Sequence, residues 1–128
     1  MIDHVSIAVS DLSRSARFYE TVLAPLGYAR LVDTPARTAF GTKYPELWLN
    51  ARPQMRPIEA DTGAHLCLRA RTNDVVDTVH RLALSNGGID DGAPGLRQAT
   101  QVVYYAAFVR DPDGNRIEIM TVPPAATP

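Results

Sequence analysis

The sequence has little of most things that would narrow its role quickly. It has one cysteine, Cys67, in 128 residues. An intrachain disulfide and the Cys-rich zinc modules are therefore both excluded. Neither sign of charge dominates. The 13 basic and 14 acidic residues leave a net charge of -1, without the broad basic excess that nucleic acid and anionic membranes reward. No apolar run approaches the roughly 20 residues of a membrane span. The opening Met1-Ile2-Asp3-His4 has neither the basic nor the apolar stretch of a signal peptide. The expectation is a cytoplasmic protein with no nucleic-acid and no membrane partner. Hydrophobic residues at 45% and charged residues at 21% are ordinary for a globular chain. The length suits one domain that buries about two-thirds of its unfolded surface.

What is present is a repeat. Laying His4 on His65 without a gap aligns His4-Val5-Ser6-Ile7-Ala8-Val9 with His65-Leu66-Cys67-Leu68-Arg69-Ala70. Each stretch is followed by a polar break, a helical pattern and glycine, with Leu23 falling on Leu84 and Gly27 on Gly88. In the first helix Leu12, Ala16, Tyr19, Leu23 and Leu26 recur at steps of four and three and make one apolar stripe. Ser10 or Asp11 is placed to cap its start, and Gly27 to close it. In the second, Val75, Val76, Val79, Leu82 and Ala83 form the stripe, with Asp74 and Asp77 near the positive helix start.

Strand signals follow each helix. In the first copy they cover 28–32, 37–41 and 47–50. In the second, 89–100 is expected to be a loop, rich in Gly and Asp and containing Pro94. Strands are expected at 102–110 and 116–122, joined by the turn Asp111-Pro112-Asp113-Gly114. The plan is a first module over about 1–50, a linker over about 51–63, a second module over about 64–122 and a loose tail over 123–128. The fold class is α+β, two tandem βαβββ modules within a single domain. Sheets with one aliphatic face suit helices packed behind and an open face in front.

Strand parity decides which side chains share that open face. In the first strand Val5, Ile7 and Val9 turn to the helix, and His4, Ser6 and Ala8 to the open side. Near the end of the first copy Glu46, Trp48 and Asn50 are open. In the second copy His65, Cys67 and Arg69 are open, as are Arg116, Glu118 and Met120. Each copy thus offers a His at the start of its first strand and a Glu on its last. Two imidazoles and one or two carboxylates suit one divalent metal per site: Fe, Mn, Co, Ni or Zn. Three or four protein ligands leave room for a substrate that chelates through neighbouring oxygens. Read singly, each His also fits a strand-edge surface residue, and Pro45 allows Glu46 to sit in a turn.

These residues resemble a family. The opening Ile2-Asp3-His4-Val5-Ser6-Ile7-Ala8-Val9-Ser10-Asp11-Leu12, with Phe18-Tyr19, is similar to the first module of the vicinal oxygen chelate superfamily. That superfamily includes glyoxalase I, extradiol dioxygenases and the fosfomycin- and bleomycin-resistance proteins. The ending Phe108-Val109-Arg110-Asp111-Pro112-Asp113-Gly114-Asn115-Arg116-Ile117-Glu118 resembles its most specific motif. The resemblance implies a cup-shaped, partly open barrel-like sheet with helices outside and a metal inside. It implies His4 and Glu46 as metal ligands from one module, and His65 and Glu118 from the other. It implies a homodimer, across which the cup of many relatives is completed. It also implies a catalytic glutamate that moves protons, Glu118 or Glu46. Glu46-Leu47 followed by Asn50 is similar to the glyoxalase I strand. Ala8, however, stands where glyoxalase I carries an Arg, which points away from strict glyoxalase I activity.

The expected substrate wall consists of Trp48, Asn50, Arg69, Tyr104 and Tyr105, and parity puts only one of the two tyrosines on the open face. Cys67 is expected to be a small buried filler, His80 a helix-surface residue and Arg97 a solvated loop residue. The leading functional expectation is a metal-dependent glyoxalase-like enzyme for a small oxygenated substrate, of isomerase, lyase or dioxygenase type. The alternative is a metal-free small-molecule binding protein of bleomycin-resistance type.

Overall fold

A computed structural model describes residues 1–123. The elements run β1 (Val5–Val9), α1 (Leu12–Leu23), β2 (Ala29–Asp33), β3 (Arg37–Gly41), β4 (Leu47–Ala51), β5 (Leu66–Arg69), α2 (Asn73–Ser85), β6 (Ile89–Ala99), β7 (Val102–Arg110) and β8 (Arg116–Thr121). They form two four-stranded mixed sheets of identical plan, β1-β4-β3-β2 and β5-β8-β7-β6. In each, the first strand pairs parallel with the last and the other pairs are antiparallel. The chain is therefore two βαβββ modules in tandem, and neither sheet closes into a barrel.

Local signals set the helix ends. Asp11 accepts a hydrogen bond from the Arg14 N–H at 3.1 Å, satisfying a donor that would otherwise be orphaned at the start of α1. Such caps contribute about 1 kcal/mol. Pro25 does not continue the helix. The chain tightens into a 3-10 turn, Ala24–Leu26, and leaves it through Gly27 at φ 85°, a left-handed conformation that glycine adopts without a Cβ penalty. Thr72 caps α2 in the same way, through the Val75 N–H.

The two helices pack on one side of their sheets and on each other. Tyr19, Leu23, Phe40, Leu47, Leu49, Val76, Val79, Val109, Ile117 and Ile119 are buried together there. Each aliphatic or aromatic side chain so buried contributes about 1.5–3 kcal/mol. The α1 stripe is wider than the step pattern predicts, because Ser15, Phe18 and Val22 are buried too.

The segment 89–100 is not the expected loop. It is strand β6, paired with β7, with register irregularities between Asp90 and Gly92 and between Gly92 and Gly95. Pro94 falls inside the second irregularity, where no ladder hydrogen bond is required of it. The glycines and proline that suggest a loop are the residues that let this strand bulge. Residues 52–65 form no strand or helix, and Ala51, at the start of the expected linker, still belongs to β4. Most of the expected loose tail, 124–128, lies outside the described residues.

The modules are joined across their backs by the β7–β8 turn. Gly114 takes φ 98° and its N–H closes the turn on the Asp111 carbonyl at 2.9 Å. Asp111, fully buried, accepts from the Tyr19 hydroxyl of the first module at 2.6 Å. Asp113 accepts from the Ser10 N–H at 3.0 Å. The Asn115 amide donates to the Ala8 carbonyl at 2.9 Å.

Candidate functional site

Each module presents an open sheet face, opposite its helix. On the first, the parallel register sets Ser6 beside Trp48 and Ala8 beside Asn50, and β3 adds Arg37 beside Asn50. His4, Ser6, Arg37, Trp48, Asn50 and Arg52 line a cavity of about 460 Å³ there. His4 meets Trp48 edge-on, with ring centroids 6.3 Å apart. Its Nδ1 lies 2.7 Å from Asp3 Oδ1, and Asp3 also accepts from the Tyr44 hydroxyl at 2.9 Å. The hydrogen bonds from His4 and Tyr44 hold the Asp3 carboxyl below the ordinary carboxylate value. A proton on Nδ1 shared with this carboxylate leaves Nε2 of His4 as the basic nitrogen, the arrangement of most metal-binding histidines.

Glu46 lies just before β4, as Pro45 allowed. Its carboxylate accepts from the Tyr28 hydroxyl. Both residues line a second cavity of about 370 Å³ with Val5, Leu66 and Cys67. Burial, together with this neighbouring carboxylate, pushes the Tyr28 hydroxyl up to about 12. Glu46 is thus turned from the Trp48 cavity, although His4 borders both.

On the second face, Cys67, Glu118, Phe108 and Gly92 stand in one row across four strands. Glu118 is only 7% exposed, and His65 Nε2 lies 3.0 Å from its Oε1. This is the pair that sequence parity brings together. Its spacing has chemical content: two ligand atoms each about 2.1 Å from one metal lie about 3 Å apart. A histidine nitrogen and a carboxylate oxygen that already converge this closely fit two adjacent positions on a divalent ion.

Phe108 is the centre of this face. The Arg116 guanidinium stacks on its ring at 4.1 Å, that of Arg97 at 5.2 Å, and the His65 ring lies 6.1 Å away. Arg116 is tied to Asp91 at 2.7 Å. Arg97 is not a solvated loop residue: it lies on β6 and donates to the Ala93 carbonyl at 2.8 Å. Gly92 leaves room for this packing, since a Cβ there would sit 3.1 Å from the Phe108 ring and 3.2 Å from Arg97.

Two other expectations are corrected. Cys67 is exposed on the open face rather than buried, because parity puts it beside Glu118 and not against α2. Desolvation and the Glu118 charge push its thiol up to about 12. His80 is not on the helix surface. It is 8% exposed, with Nε2 3.0 Å from Asp90 Oδ1.

The remaining expected wall residues divide. Trp48 and Asn50 share the cavity with His4. Arg69 borders a different cavity, with residues 24–27. Tyr105 packs toward the core and its hydroxyl donates to Asp77 of α2 at 2.6 Å, so Tyr104 holds the open parity. Sequence reasoning missed Arg37, Arg52 and Phe108 as site residues and Tyr28 as the partner of Glu46. Parity would have found Arg37 and Phe108, since their neighbours across the ladder are Asn50 and Glu118. The Tyr28–Glu46 contact has no such signal.

Among the described residues no cluster of three or more His, Cys, Asp and Glu side chains converges within one chain. His4 and the His65–Glu118 pair remain apart. No described helix is long and apolar enough to cross a membrane.

Comparison with known proteins agrees with this architecture. Virulence protein STM3117 of Salmonella typhimurium is 34% identical over an alignment spanning 92% of this chain and 81% of that protein. A glyoxalase/bleomycin resistance protein from Albidiferax ferrireducens T118 superposes with a TM-score of 0.82 at 28% identity, covering 92% of this chain and 96% of that one. A glyoxalase/bleomycin resistance protein/dioxygenase family enzyme from Burkholderia phytofirmans PsJN superposes with a TM-score of 0.72, covering 94% and 98%, and at 21% identity is a likeness of fold. The family description matches residues 1–119, nearly the whole of both modules, and the chain belongs to the Glyoxalase/Bleomycin resistance protein/Dioxygenase superfamily.

Proposed function

We propose that the protein is a cytoplasmic, metal-dependent glyoxalase-like enzyme that acts on a small oxygenated substrate chelated to one divalent ion. The observation that carries this reading is the His65–Glu118 pair, a nitrogen and an oxygen 3.0 Å apart on an open face. His4, with Nδ1 engaged by Asp3, supplies a third ligand, and Glu46 is the candidate fourth. Because the four do not converge in one chain, the site is proposed to assemble across a homodimer. His4 and Glu46 then come from one protomer, and His65 and Glu118 from its partner.

When bound, the ion would polarise a substrate carbonyl and steady the charge of an enolate. The chain's own residues supply the rest. Glu118, set between Ile117 and Ile119, is poised to take a proton from a carbon beside the chelating oxygens. Trp48 and Phe108 wall the space and limit water. Proton transfer by a positioned carboxylate contributes about 10²–10⁴-fold.

A second reading has its own support. Glu46 already has a partner in Tyr28, and among the described residues of one chain no three-ligand cluster converges. A metal-free binding protein of bleomycin-resistance type would look like this. Metal content separates the two. Chelator-free protein reloaded with Fe(II), Mn(II), Co(II), Ni(II) or Zn(II) is expected to hold about one ion per chain, by plasma mass spectrometry. His65→Ala and Glu118→Gln are expected to lose it while keeping the circular dichroism spectrum. No bound ion under any loading would sink the enzyme reading and leave the binding protein.

A further inference from the structure

The cavity on the first open face carries two arginines, Arg37 and Arg52, that the metal reading does not use. Its floor is the half-buried ring of Trp48. Arg37 stands over that ring at 5.8 Å, near the outer limit of about 6 Å for a cation–π contact. Arg52 shares the cavity, and the only described hydrogen bond of its guanidinium is to the neighbouring Ala51 carbonyl, at 2.8 Å. Among the described residues neither guanidinium has a carboxylate partner; Arg17, Arg56, Arg69, Arg71, Arg81 and Arg97 also have none, and what sets Arg37 and Arg52 apart is that they share one cavity with Trp48. No acidic side chain lines the cavity. Asp3, which adjoins the lining residue His4, is occupied by His4 and Tyr44.

Two unneutralised cations in a concavity with an apolar floor make a focused positive potential. The ligand that satisfies all three features has a flat face for the indole and an anion with two oxygens for the guanidinium fork. Asn50 and Ser6 add neutral donors beside them. We propose that this cavity binds a planar organic acid, with its flat part on Trp48 and its carboxylate held by Arg37 and Arg52. The second face carries a related device, Phe108 beneath Arg97 and Arg116. Its Arg116, however, is neutralised by Asp91, which is why the anion is assigned to the first face.

The proposal deepens the metal-dependent reading by naming a substrate class, and it rests on that reading only for what happens after binding. Binding itself is testable in chelator-treated protein, where the metal question does not enter. Trp48 is the only tryptophan, so its fluorescence reports directly on the cavity.

The probes are benzoate, its neutral isostere benzamide, non-planar cyclohexanecarboxylate and inorganic phosphate, with calorimetry alongside fluorescence. Benzoate is expected to quench Trp48 and to bind about tenfold or more tightly than benzamide. It is also expected to bind several-fold more tightly than cyclohexanecarboxylate. Arg37→Gln and Arg52→Gln should each weaken benzoate severalfold to tenfold, and Arg37→Lys should recover part of the loss. Retained circular dichroism would show that the variants fold. Equal binding of benzoate and benzamide, or no effect of either Gln variant, would overturn the proposal. So would phosphate competing as well as benzoate, which would make the cavity a general anion site. Absence of benzoate binding up to tens of millimolar would overturn it too. A protein that binds benzoate in this way but takes up no ion under any metal loading would keep the proposal while the enzyme reading falls.

Discussion

The Tyr19 hydroxyl donates to Asp111 Oδ2 at 2.6 Å across 92 residues of sequence. It ties the helix of the first module to the last turn of the second, inside a region that water does not reach. The acceptor is a carboxylate that also receives the N–H groups of Asp113 and Asn115 at 2.9 and 2.8 Å. Removing one donor from such a group leaves buried charge less well solvated. Tyr19→Phe keeps the ring packing and deletes only the hydroxyl. It is expected to lower unfolding free energy by about 1.5–3 kcal/mol, the range for a hydrogen bond to a charged group. Urea denaturation with an unchanged m-value would measure it. A loss no larger than a surface substitution gives would mean that the contact does not hold the modules together.

The same carboxylate sets a pH dependence. Burial raises the Asp111 carboxyl above its ordinary value of 3.8, with the hydrogen bonds from Tyr19 and Asn115 pulling the other way. Between 3.8 and the higher folded value the native state therefore binds more protons than the unfolded one. Stability from this group is greatest below that window and declines as pH rises through it. Asp111→Asn cannot titrate. The stability of wild type minus that of Asp111→Asn is therefore expected to fall as pH rises from below 3.8 and to level off once pH is above the folded value. The lowered carboxyls of Asp3 and Asp90 act in the opposite direction but are common to both proteins. A difference that rose with pH would reverse the sign assigned here to Asp111.

Gly41 closes β3 before the turn that carries Glu46. A Cβ there would lie 1.8 Å from the Tyr44 carbonyl oxygen, a backbone atom that cannot swing aside. Gly41→Ala must move the 41–46 turn, and with it the Glu46 N–H that bonds the Phe40 carbonyl at 2.9 Å. The expected cost is about 2–4 kcal/mol, with the melting temperature falling accordingly. A variant as stable as wild type would show that the turn has slack.

Much of this was legible because it is periodic. The His-to-Gly repeat gave two modules, helical steps gave the core faces of α1 and α2, and parity put His65 and Glu118 on one face. What was illegible depends on contacts with no period. Strand β6 hid behind Gly92, Pro94 and Gly95, which suggest a loop in isolation and make bulges once β7 lies alongside. His80 looked like a surface residue until Asp90 of the next strand covered it. Asp111-Pro112-Asp113-Gly114 was recognisable as a turn, but nothing local says that its first residue binds Tyr19. The proposed metal site divides along the same line. Parity supplies the pair within a sheet, whereas the approach of one sheet to another is a tertiary fact that two distant histidines do not encode.

Tyr28 and Glu46 offer a test of the fourth ligand. The phenol hydroxyl donates to the carboxylate and so competes with any ion for its lone pairs. If Glu46 is a ligand, Tyr28→Phe removes the competitor and is expected to tighten metal binding several-fold, while Glu46→Gln weakens it by about tenfold or more. Competition with a fluorescent chelator would give both affinities. Unchanged affinity in both variants would reduce the protein ligands to His4, His65 and Glu118.

A metal site shared across a homodimer, as proposed, predicts how damaged chains behave when mixed. His4→Ala removes a ligand from both sites of a homodimer, and so does His65→Ala, so each protein alone is expected to hold little metal. In a heterodimer of the two, one site receives both lesions and the other receives neither. Heterodimers isolated through two different affinity tags are expected to hold about half the metal of wild type, in one site of wild-type affinity. If instead each chain built its own site, every site in the mixture would carry one lesion and mixing would restore nothing. Metal content that stays at the level of the parents would place His4 and the His65–Glu118 pair in one protomer, and would require the two open faces to close on each other within a chain.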